Sequence, residues 1–146
     1  MNQAMSHLNE LIEITRDGQH FYRHALEHVS DAELQHLFRD MAQSKTHIIQ
    51  ALSVKVAAHH EQPSQGGTAA GQLREMYADV KARLGKPEAV YIEQLDLAEE
   101  RMLEAFEDAL KTAEPDVRAL LAVELPKNRA CHARIHELNE KNKHRH

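Results

Sequence analysis

Apolar residues recur at three- and four-residue steps along most of the chain, the period of a helix that buries one face. From about Met5 to Val29 the stripe is Leu8, Leu11, Ile12, Thr15, Gly18, Tyr22, Ala25, Leu26 and Val29. Ser30 then heads a new segment, "SDAE", with Glu33 at the spacing of a capping box. The second stripe carries Leu34, Leu37, Phe38, Met41, Lys45, Ile48, Leu52 and Val56 and fades near His59. So tight a join predicts an antiparallel hairpin. Residues 61–71, "EQPSQGGTAAG", break any helix with Pro63, Ser64 and the Gly66-Gly67 pair. A shorter helix follows, with Leu73, Met76, Tyr77, Val80 and Leu84 on one face, and "GKP" stops it. Pro87 and Pro115 each suit the first turn of a further helix. The first of these two carries Ile92, Leu95, Glu99, Met102, Phe106 and Ala109 inward. The second carries Val117, Leu120, Leu121, Glu124, Asn128, Cys131, Ile135 and Leu138, with Pro126 in its interior predicting a kink. The expectation is an all-α chain, one domain over 1–146, with helices at about 5–29, 31–59, 72–84, 87–112 and 115–142.

The stripes contain polar exceptions, and their positions agree. At about 100° per residue, Thr15, Lys45, Glu99, Glu124 and Asn128 all point near the centre of an apolar arc. Thr15 and Lys45 each lie fifteen residues from Ser30, and Glu99 and Asn128 are equidistant from the turn near Ala113-Glu114. Fifteen residues is roughly 22 Å, close to mid-length for each long helix. All four long helices therefore bring a polar residue to one level. An unpaired charge buried there costs several kcal/mol, so the residues are expected to satisfy one another. Lys45 would pair with Glu99 or Glu124, Asn128 and Thr15 would add hydrogen bonds, and Gly18 would leave room.

Composition narrows the function. A net charge of -5 argues against a general nucleic-acid binder. No apolar run suits a membrane span or a secretory leader, so a soluble cytoplasmic protein is expected. The single Cys131 excludes an internal disulfide framework and reads as a small buried apolar residue. Twelve histidines are unusual for this length. Most read as surface polar residues, among them His59-His60 and the tail His144-Arg145-His146. His20, His24 and His28 line one face of the first helix, away from its apolar arc, and suit solvent or a subunit contact better than a metal. His132 and His136 form a second i, i+4 pair bordering the core. Ile14 and Phe21 make a small extra apolar stripe that the short helix or another subunit would cover, which leaves a homo-oligomer open. No motif names a protein partner.

The strings "LNELIEITRDGQHFYRHAL", "AGQLREMYADVKARL", "EERMLEAFEDAL" and "HARIHEL" resemble a group of small uncharacterised bacterial ferritin-like proteins. The resemblance implies an antiparallel four-helix bundle with the short extra helix in the second-to-third connection. Dimetal enzymes of that kind supply a Glu from each of two helices and a Glu-x-x-His from each of the other two. Here Glu99 fits one Glu position. His132 fits a His, but Arg129 stands where its Glu should be; His47 is preceded by Ser44, and the first helix offers Asp17. Lys45 stands at the centre. The expected function is therefore non-enzymatic, an interaction or stress-related protein with a degenerate or absent dimetal site and no cofactor. The alternative is an oxidase or storage protein holding iron, manganese or zinc at an atypical site built from Glu99, Glu124 and His132.

Overall fold

A computed structural model describes residues 3–144; Arg145 and His146 of the basic tail, like Met1 and Asn2, lie outside the described residues. It is all-helical. Five helices follow in chain order: α1 (Gln3–His28), α2 (Ala32–Ala58), α3 (Ala69–Arg83), α4 (Pro87–Thr112) and α5 (Pro115–Lys143). Helices α4 and α5 both begin with proline at their first turn, where the missing N–H is not needed. Pro126 lies within α5, which continues through it.

The start of α2 differs from the expected capping box. Asp31, not Ser30, is the N-cap, and its carboxylate accepts from the backbone N–H of Glu33 and Leu34 at 2.8 and 3.2 Å. Ser30 turns outward to Glu88 near the start of α4, which accepts from the Ser30 hydroxyl and from the N–H of Ser30 and Asp31. This carboxylate ties the first hairpin turn to the α4 terminus.

Helix α1 packs against α2 and α4, α4 against α5, and α2 meets α5 more narrowly. Cross-helix bonds give the directions. His7 reaches Thr112 and His24 reaches Tyr91, so α1 and α4 are antiparallel. Lys45 reaches Asn128 and His59 reaches Asp116, so α2 and α5 are antiparallel too. Consequently α2 and α4 run the same way, and the connection from His59 to Lys86 must travel the length of the molecule. It is strapped to α1: Asn9 holds the Gln62 carbonyl and the Ser64 N–H, and Arg16 donates to the carbonyls of Ser64 and Gly66.

Helix α3 starts at Ala69, three residues before the expected Gln72, because the Thr68 hydroxyl caps it on the Gly71 N–H at 3.0 Å. It lies across α1 and α4, and Ala78 and Ala82 pack in one cluster with the buried Phe21. The face it turns inward is the small-residue one, Gly71, Ala78 and the partly buried Ala82. Asp17 of α1 comes so close that a Cβ at Gly71 would overlap its carboxylate, at 2.4 Å from Cγ. The stripe of Leu73, Met76, Tyr77, Val80 and Leu84 points to solvent instead, at 56–85% exposure.

The core is divided in two. One cluster includes Leu8, Leu11, Ile12, Ile48, Leu52, Met102, Phe106 and Leu121. The other includes Phe21, Tyr22, Phe38, Met41, Tyr91, Leu95 and Ile135. Between them lie Thr15, Gly18, Lys45, Glu99 and Asn128, all buried.

Candidate functional site

Each residue of the dividing layer comes from a helix that apolar packing holds on both sides. Lys45 of α2 is 1% exposed, and its Nζ lies 2.8 Å from Glu99 Oε1 and 3.0 Å from Oε2. It also donates to Asn128 Oδ1 at 3.0 Å. Asn128 Nδ2 donates in turn to the Glu124 carbonyl one turn earlier in α5, at 2.9 Å. The Tyr22 hydroxyl donates to Glu99 Oε1 at 2.7 Å. Burial, and then the adjacent Glu99 charge, push the Tyr22 phenol well above its ordinary pKa, so it remains a donor. Both sides of the ion pair are thus hydrogen-bonded further, which a buried ion pair needs to offset its desolvation. Among the described residues, the buried side-chain atom without a partner is Arg74 Nη1, far from this layer in the sequence and on α3. Cys131 is half-buried nearby. Burial raises its thiol pKa, against the opposing pull of Lys45, and keeps it a poor nucleophile.

The expected residues do not all meet here. Thr15 is fully buried but donates to the Leu11 carbonyl at 2.7 Å, back along its own helix. Glu124 lends the layer its backbone carbonyl, while its carboxylate lies 3.6 Å from Lys127 at the rim. It stands one turn before Asn128, and its longer side chain leaves the core for that cation. His132 turns to Asp96, 3.0 Å away. Glu99, Glu124 and His132 therefore do not converge on one point. Asp17 is occupied too, accepting from the Thr68 N–H at 2.7 Å and from the Thr68 hydroxyl, with Arg101 at 3.6 Å. His47 is exposed.

Two histidine–carboxylate groups lie away from the layer. On the α4–α5 face, Asp96 is 4% exposed yet faces His132 and His136 of α5, at 3.0 and 2.9 Å. Asn139 donates to its Oδ2 at 2.8 Å, and Glu100 lies 3.8 Å from His132. Burial raises the Asp96 pKa, but hydrogen bonds from Asn139 and His136 outweigh this and leave it below the ordinary carboxylate value. The same bond raises His136. On the α1–α3 side, Asp79 accepts from the Tyr91 hydroxyl at 2.7 Å and meets His24 at 2.9 Å and His28 at 3.7 Å. The Tyr91 bond lowers the Asp79 pKa most; burial opposes it, but His24 and His28 add to the lowering and leave it below the ordinary value. The face of His24 and His28 is thus covered by α3 rather than left wholly to solvent, while His20 is exposed.

Asp96, Tyr22 and His136 were not singled out from the sequence as partners. A signal for the first existed. Asp96 lies seventeen residues before Ala113 and His132 eighteen after Glu114, so hairpin counting puts them at one level. Asp96 and Glu100, like His132 and His136, share a helix face at i, i+4.

Residues 3–112 match the family model of a domain of unknown function, DUF2383. The chain belongs to this family. The match takes in α1 to α4, and with them Lys45, Glu99, Tyr22, Asp96 and Glu100; α5, which carries Asn128, His132 and His136, lies beyond it. No curated protein and no solved structure matches the chain. No helix among the described residues is long and apolar enough to cross a membrane.

Proposed function

We propose that this chain is a ferritin-like antiparallel four-helix bundle whose central level is closed by an ion pair. In this reading it acts without catalysis, by binding protein, and its first partner is a second copy of itself. Topology supports the bundle: neighbouring long helices are antiparallel, and one long connection joins two helices that run the same way. The observation that carries the functional half is Lys45, whose ammonium group occupies the middle of the molecule against Glu99 and Asn128 at 1% exposure. A ferritin-like dimetal centre takes about four carboxylates. The layer offers one, already bonded to Lys45 and Tyr22. A cation fixed there repels a second, so no resident cofactor is expected at this level.

The outward face of α3 supports the interaction. Leu73, Met76, Tyr77, Val80 and Leu84 form one apolar stripe at 56–85% exposure, a patch on the order of 500 Å², as large as monomers usually leave bare. Pairing two copies of it would bury about 1,000 Å², near the lower bound of a specific interface. A cytoplasmic setting fits the single cysteine.

Light scattering on untagged protein tests the interaction. The expected result is a dimer that Tyr77→Lys with Val80→Glu turns into a monomer of unchanged helix content. A wild-type monomer at every concentration refutes self-association. Metal analysis tests the closed centre: Glu99→Gln should leave bound metal unchanged. Stoichiometric iron, manganese or zinc lost on that change would establish a metal-dependent oxidase or storage protein instead.

A further inference from the structure

The rim between α4 and α5 brings together a donor set that the central layer lacks. Asp96 and Glu100 sit one turn apart on α4, and His132 and His136 one turn apart on α5. Because the two helices are antiparallel neighbours, the two pairs face each other. One ligand atom from each of the four residues lies within 4.8 Å of the others. A four-coordinate ion with bonds of about 2.0–2.1 Å requires ligand atoms roughly 3.3 Å apart. His132 Nε2 and Asp96 Oδ1 are already 3.0 Å apart, and His136 Nδ1 and Asp96 Oδ2 2.9 Å. The two imidazoles meet different oxygens of Asp96, so a shared ion requires small side-chain shifts there as well as in Glu100, which is half exposed and 3.8 Å from His132.

We infer that Asp96, Glu100, His132 and His136 form a mononuclear site for a divalent transition-metal ion, bridging α4 and α5. Two imidazoles with two carboxylates favour zinc, iron(II), cobalt or manganese over calcium or magnesium, which prefer oxygen alone. The two carboxylate charges neutralise the ion. The site also has an orienting partner: Asn139, 5% exposed, donates to Asp96 Oδ2 at 2.8 Å and fixes the carboxylate plane. Access is open, since the Asp96 side chain is 6% exposed but those of His132, His136 and Glu100 are 23%, 48% and 49%. The ion would clip the α4–α5 hairpin about one turn farther from its connecting loop than Glu99 and Asn128, without entering the polar layer.

A second cluster makes the natural comparison. His24, His28 and Asp79 also bring three donor atoms within 4.8 Å. It is one ligand short, and its Asp79 oxygen is already taken by the Tyr91 hydroxyl and His24.

The test titrates zinc by calorimetry, and cobalt by visible absorption, into full-length, untagged, chelator-stripped protein at neutral pH. One ion per chain is expected, with the visible bands of four-coordinate cobalt. His132→Gln with His136→Gln should abolish stoichiometric binding, and Asn139→Ala should weaken it about 10-fold, as loss of an orienting partner does elsewhere. His132 and His136 lie at the rim and Asn139 is buried beneath them, and circular dichroism checks that each variant keeps its helix content. Asp79→Asn should leave affinity unchanged, and so should His144→Gln with His146→Gln. The inference is overturned if the wild-type protein takes up no ion, or if the His132–His136 double variant binds as the wild type does. Loss of the ion on Asp79→Asn or on the tail change also overturns it, by assigning the metal elsewhere. Glu99→Gln separates this site from the bundle centre: it should leave zinc binding intact.

Discussion

Lys45 shows how one residue can satisfy a whole level of a helical core. Its Nζ has three donors and three oxygen acceptors within 3.0 Å, two from Glu99 and one from Asn128. Gly18 faces its stem, and a Cβ built there would sit 3.8 Å from Lys45 Cε, an ordinary contact. The expected need for glycine at that point therefore does not hold. Gly18→Ala should raise stability by about 0.5–1 kcal/mol, the usual gain for replacing glycine inside a helix. A shifted urea midpoint with an unchanged slope would show it. At this scale the sequence revealed the level but not every member. Lys45, Glu99 and Asn128 could be found because rotation and turn counting agree. Glu124 has the same rotation but a longer side chain, and it escapes to Lys127. Tyr22 was hidden because a tyrosine in an apolar stripe looks like plain core until its hydroxyl is placed on Glu99.

At the scale of the element, α3 departs furthest from what its pattern suggests. Periodicity identifies an apolar stripe, yet it does not say which face will dock. Gly71 and Ala78 permit closer approach to α1 and α4 than the large residues could, and polar anchors complete the docking. Asp17 holds the Thr68 cap, and Asp79 joins α3 to Tyr91 of α4 and His24 of α1. The long segment boundaries followed from proline and caps, whereas the cap at Asp31 depended on which of two adjacent oxygens reached the helix N–H groups. The Asp79 anchor has a pH signature. Its pKa is lowered in the folded state, so its contribution is complete above the ordinary carboxylate value and is lost as pH falls through the lowered one. Hydrogen exchange should therefore show α3 opening first on acidification below about pH 4, ahead of α1 and α4. Asp79→Asn should remove that difference.

For the whole molecule, the polar layer does what an apolar layer could not: it joins α1, α2, α4 and α5 at one level through specific partners. Lys45 of α2 finds Glu99 of α4 diagonally across the core, and Asn128 of α5 completes the contact. Shifting α2 or α4 by one turn would strand a charge between two apolar halves, and shifting α1 or α5 would remove a hydrogen bond from the ion pair. All-helical character was readable from composition and period. The rim cluster was not, because Asp96 and His136 flank their stripes and only adjacency of α4 and α5 brings them together.

The measurement that reaches the centre of this account is a double-mutant cycle on Lys45 and Glu99, read by urea unfolding. Lys45→Met leaves a buried carboxylate, and Glu99→Leu a buried ammonium group, so each alone should cost about 3–5 kcal/mol. Together they should cost less than the sum of the two by at least about 2 kcal/mol, although Tyr22 and Asn128 still lose a partner. If both single changes stay within about 0.5 kcal/mol of the wild type, as surface substitutions do, no ion pair closes the middle of this protein.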